Sequence, residues 1–64
     1  MSTIAEAQAL DAEFRAGKIS AGEYKELLED LKHTAAVNEA AGDLAKLSQI
    51  HEVLENLKSA AGLI

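Results

Sequence analysis

Phe14-Arg15-Ala16-Gly17-Lys18-Ile19-Ser20-Ala21-Gly22-Glu23-Tyr24-Lys25-Glu26-Leu27-Leu28-Glu29-Asp30-Leu31 decides how the rest of this chain is read. Gly17 stands where a helix ending near Arg15 needs a left-handed residue, which glycine adopts without a Cβ clash. Ser20-Ala21-Gly22-Glu23 then has the Ser-x-x-Glu form of a capping box. In such a box the hydroxyl accepts from the Glu23 N–H and the carboxylate accepts from the Ser20 N–H. Ile19 and Tyr24 flank that box at the two positions of a hydrophobic staple. Stop, staple, cap and box together predict a helix, a tight corner and a second helix.

Working backwards, Thr3-Ile4-Ala5-Glu6 repeats the Thr-x-x-Glu pattern, which predicts a first helix over about 4–16. Ile4, Ala7, Leu10 and Phe14 step by three and four and share one face. Asp11 and Arg15 make an i, i+4 pair with the acid N-terminal, the favourable order. The other charges read as a solvated face.

Working forwards, Tyr24, Leu27, Leu28, Leu31 and Ala35 form the stripe of a second helix over about 21–37. Lys25, Glu26, Glu29, Asp30 and Lys32 lie opposite. A third helix over about 43–61 carries Leu47, Ile50, Leu54, Leu57 and Ala61, continued by Ile64, in an unbroken heptad seam. Its flanking positions, Lys46, His51, Val53, Lys58 and Ala60, lack opposed charges that would fix a partner. The stripes of the second and third segments differ in direction by roughly a quarter turn at helical spacing. Supercoiling drifts by only about 20° per heptad and cannot reconcile them. Gly42-Asp43 supplies a stop and an N-cap between them, and Asn38 is another terminator. The expectation is an all-α chain, one domain over 1–64. A capped antiparallel hairpin is followed by a third amphipathic helix; one long second helix is the alternative.

Leu10, Phe14, Gly17, Ile19, Ser20, Glu23, Tyr24, Leu27 and Leu31 together resemble the short helical hairpin called SHOCT (short C-terminal domain) over roughly residues 8–32. The resemblance implies a protein-interaction or oligomerisation module and carries no catalytic residues.

With 64 residues, no cysteine, one phenylalanine and one tyrosine, the chain has little material for a core. Domains of this size usually rely on regular helix packing or on oligomerisation. The net charge of −5, without a basic patch, argues against nucleic acid as a partner. No apolar run reaches the roughly 20 residues of a membrane span. Met1-Ser2-Thr3-Ile4 lacks the basic n-region of a signal peptide. The expected setting is cytoplasmic, or part of an intracellular or virion assembly.

Catalytic and metal readings are weak. His51 and Glu55 form an i, i+4 pair that reads as a surface contact rather than a ligand pair. Ser48 near His51 has no third orienting group, and Gly17 and Gly22 lack the lysine and spacing of a phosphate loop. No catalytic residue, metal or cofactor is assigned. The expected function is a non-enzymatic interaction or assembly module. It would self-associate or dock on a larger complex through the seam Leu47, Ile50, Leu54, Leu57 and Ala61, held on the corner Phe14, Gly17, Ile19, Ser20, Glu23 and Tyr24. The alternative is a small acidic inhibitor, such as phages encode, that occupies a basic site on a host protein.

Overall fold

The computed structural model describes residues 2–63. They form three helices, α1 (Thr3–Arg15), α2 (Ala21–Val37) and α3 (Leu44–Ala60), each touching both others. Among the described residues there is no strand. Ile64, the expected last position of the seam, lies outside the described residues.

α1 begins one residue earlier than its sequence suggests. Ser2, not Thr3, is the N-cap, and its Oγ accepts from the Ala5 N–H at 3.1 Å. Thr3 enters the helix and is buried. Its backbone N–H donates to both carboxylate oxygens of Glu39, at 3.1 and 3.4 Å. The expected Thr3–Glu6 capping box therefore gives way to a cap at Ser2 plus a carboxylate brought in from 36 residues away. Both orphan donors are satisfied, and the negative charge sits at the positive end of the helix dipole.

α1 ends in a Schellman motif. The Gly17 N–H donates to the Phe14 carbonyl, and the Lys18 N–H to that of Glu13, with Gly17 at φ +76°. The corner then closes as its letters predict. Ser20 Oγ accepts from the Glu23 N–H at 3.1 Å, and Glu23 Oε1 accepts from the Ser20 N–H at 3.2 Å. Across the corner the Phe14 and Tyr24 rings stack, with centroids 4.7 Å apart.

The chain does break after α2, so the single long second helix is not formed. Asn38 is the C-cap, and the Ala40 N–H returns to the Ala35 carbonyl. Gly42 does not end α2; it sits later, at φ +76°, where it turns the chain into the Asp43 cap. Asp43 accepts from the Lys46 N–H at 3.0 Å. A second Schellman motif ends α3, through Gly62 and Leu63 to the carbonyls of Ser59 and Lys58.

The buried cluster takes Ala7 from α1, Tyr24, Leu28 and Ala35 from α2, Ala40 from the connection, and Ile50 and Leu54 from α3. Ile4, Leu10, Phe14, Ile19, Leu31, Leu47, Leu57, Ala61 and Leu63 pack around it. The stripes of all three helices meet in this one core, with Leu27 as the exception: it remains 37% exposed.

Candidate functional site

The expected interaction seam is already occupied within the chain. Ile50 and Leu54 are buried, and Leu47, Leu57 and Ala61 pack against the same cluster. Ile50 and Leu54 are covered by the chain itself, while Leu47, Leu57 and Ala61 stay partly exposed. The seam therefore contributes to the packing of α3 on this chain's own core.

Lys58 joins that packing from the edge of α3. Its ammonium lies 3.6 Å from Glu29 of α2 and 3.6 Å from Glu55 of α3, while its side chain is only 8% exposed. The stem covers apolar surface and the charge emerges between two partly exposed carboxylates. The sequence reading of α3 flanks without opposed charges is corrected here, because the opposing acid comes from another helix.

At the corner Gly17 turns the chain, Ser20 and Glu23 cap α2, Phe14 stacks on Tyr24 and Ile19 packs against the buried cluster. The Tyr24 hydroxyl donates to Asp11 at 3.0 Å, and the other Asp11 oxygen holds Arg15 at 2.9 Å. Burial pushes the Tyr24 phenol up to about 12, helped by the hydrogen bond to Asp11 and that carboxylate's charge, with Arg15 opposing. The hydroxyl tethers α2 to α1 through Asp11. His33 is exposed and His51 half-buried. Among the described residues no group of three or more His, Asp or Glu side chains is placed to hold a metal ion, and no helix is long and apolar enough to cross a membrane.

The open apolar surface lies elsewhere. Glu6, Ala9 and Leu10 of α1 and Leu27, Asp30, Leu31 and Thr34 of α2 line a groove of about 350 Å³. No α3 residue contributes to it. Leu10 and Leu31 reach it from the edge of the core, Ala9 keeps the α1 wall low, and Leu27 stands on the opposite wall. Its polar lining consists of two acids and one threonine, with no lysine or arginine. The other exposed large apolar side chains are Val37 and Leu44, which flank the connection between α2 and α3.

Sequence reasoning assigned Leu27 to the buried stripe and so missed this groove. The signal was present in the spacing. Tyr24, Leu28, Leu31 and Ala35 already complete an i, i+4, i+7, i+11 line, which leaves Leu27 one helical position to its side. Comparison with protein-family models, with curated proteins and with solved structures finds no match.

Proposed function

We propose that this chain is a non-enzymatic protein-interaction module, built on an antiparallel hairpin of α1 and α2 and offering the groove between them to another helix. The observation that carries the reading is the groove itself, with Leu27 on its wall and no α3 residue in its lining. The stack of Phe14 on Tyr24 supports the hairpin, because it joins the end of α1 to the start of α2. The SHOCT-like pattern over residues 8–32 is in keeping with it. Relative to the expectation from sequence, the interaction surface moves from the α3 seam to the α1–α2 groove. Self-association belongs to this reading only through that groove.

The test is site-specific photo-crosslinking in the cells that make the protein. A photoreactive residue replaces Leu27 in one variant and Gln49, an exposed α3 position, in another. A defined adduct from position 27 and none from position 49 supports the groove as an interaction surface. No adduct at either position, or the same adducts at both, overturns it.

A further inference from the structure

We infer that the occupant of the α1–α2 groove is a cationic amphipathic helix of another protein, and not a second copy of this chain. The inference rests on the groove being an interaction surface, and it adds the chemistry of what binds there.

Shape comes first. The α2 wall runs from Leu27 to Thr34, seven steps or about 10 Å of helix at about 1.5 Å per residue. That is two turns, the span of the i, i+3, i+4, i+7 anchors by which one helix enters a groove. Both walls are helices whose backbone groups are bonded internally, so an added strand has no edge to pair with. The low wall at Ala9 allows an incoming side chain to settle between Leu10 and Leu27, with Leu31 at the floor.

Charge selects the partner. Glu6 and Asp30 line the groove. Glu13 lies seven residues after Glu6 and Glu23 seven residues before Asp30, on the same helical lines but beyond the groove's lining, where Glu23 also accepts from the Ser20 N–H. Each wall thus places one acid beside the apolar floor, with a second acid beyond its end. A second copy would bring the same acids against themselves, and like charges in register disfavour an interface. Each copy also carries a net charge of −5. A helix with leucines on one face and lysine or arginine at their margins satisfies the floor and the acids of both walls at once.

The test uses two labelled helical peptides that share one leucine face. One has lysines at its margins and the other has glutamates in the same places. Binding to the full chain is followed by fluorescence anisotropy, with circular dichroism confirming that each variant folds. The lysine peptide is expected to bind and the glutamate peptide to fail, with affinity falling at least about tenfold as salt is raised. Leu27→Glu should abolish binding in a variant whose circular dichroism shows that it folds. Asp30→Lys should weaken binding by about tenfold or more, whereas Glu52→Lys, the same charge change on exposed α3, should alter it by less than about twofold. Equal loss in the two charge variants would mean attraction to the overall charge alone, and overturns the inference. Equal binding of both peptides, abolished by Leu27→Glu, keeps the groove as a site but overturns the charge argument. Binding of neither peptide overturns the inference while leaving the crosslinking at position 27 to decide whether the groove is used at all. A dimer in light scattering that Leu27→Glu dissociates identifies the occupant as a second copy and also overturns it.

Discussion

The Thr3 backbone N–H points at the carboxylate of Glu39, 36 residues further along the chain, and donates to both its oxygens. This bond ties the start of α1 to the connection between α2 and α3. Glu39→Ala removes a charge-assisted bond and is expected to cost about 1–2 kcal/mol in urea unfolding. Glu39→Gln keeps an acceptor and loses the charge at the helix terminus, so about 0.5–1 kcal/mol is expected. Amide exchange at Thr3 should accelerate in the alanine variant. An unaltered exchange rate there would mean the bond does not persist in solution.

The corner between α1 and α2 makes opposite predictions for two neighbouring glycines. Gly17 has φ +76°, with nothing within 4 Å of a built Cβ, so Gly17→Ala suffers backbone strain alone and should cost about 1–2 kcal/mol. Gly22 lies within α2 with equally open space, so Gly22→Ala should raise stability by about 0.5 kcal/mol. Ser20→Ala, which breaks the box, should lose about 1 kcal/mol. Thermal melts of the three variants would sort them, and a stabilising Gly17→Ala would contradict the Schellman assignment.

What could be read from the letters divides along physical lines. The Ser20–Glu23 box, the Gly17 stop and the Asp43 cap are local chemistry, complete within a few residues, and each stands where its pattern points. The break between α2 and α3 followed from the directions of two stripes, which is also local. Three relationships escaped because their partners are distant: Glu39 at the α1 terminus, Glu29 beside Lys58, and Asp11 beneath the Tyr24 hydroxyl. Ser2 and Thr3 are both competent caps, so only the arrival of Glu39 distinguishes them. The heptad of α3 was legible as a buried face, but periodicity does not say whose surface covers it. The groove escaped for the complementary reason: Leu27 looks like a core leucine until the position of α3 leaves it uncovered.

Lys58 tests whether packing or charge holds α3 in register. Its ammonium is 3.6 Å from each carboxylate, and those carboxylates are about half exposed, a geometry in which ion pairs contribute little. The buried stem should matter more. Lys58→Met is therefore expected to stay within about 1 kcal/mol of the parent in guanidinium unfolding, while Lys58→Ala loses about 1–2 kcal/mol. Should methionine prove as damaging as alanine, the charge would be the dominant contribution.

Leu54 and Leu27 separate the buried seam from the open groove. Leu54 is fully buried, and a side chain of that kind carries about 2–5 kcal/mol on truncation to alanine. A core of this size supplies only about 3–5 kcal/mol in all. Leu54→Asp should thus abolish the helical circular dichroism, while Leu27→Asp should leave it nearly intact. A Leu54→Asp chain that remained folded would show that the seam does not face this core.

Tyr24 gives the chain an alkaline limit whose sign can be worked out. Its phenol is held at about 12 in the fold against 10.0 in the unfolded chain, first by burial and then by Asp11. Between those values the folded chain retains a proton that the unfolded chain has released. The stabilisation is complete below pH 10, declines as pH rises through that window and is gone above about pH 12. Tyr24→Phe removes both the hydrogen bond and the titration. At pH 8 it should be less stable than the parent by about 1 kcal/mol, the worth of a bond that Asp11 also divides with Arg15. The two melting temperatures should draw together above pH 10 and cross before about pH 12, because the loss across that window, about 2–3 kcal/mol, exceeds the worth of the bond. The chain has one tyrosine, so phenolate absorbance reports this group alone. A titration midpoint near 10 in the folded chain, or a stability difference that does not change with pH, would show that Asp11 and burial do not hold the proton.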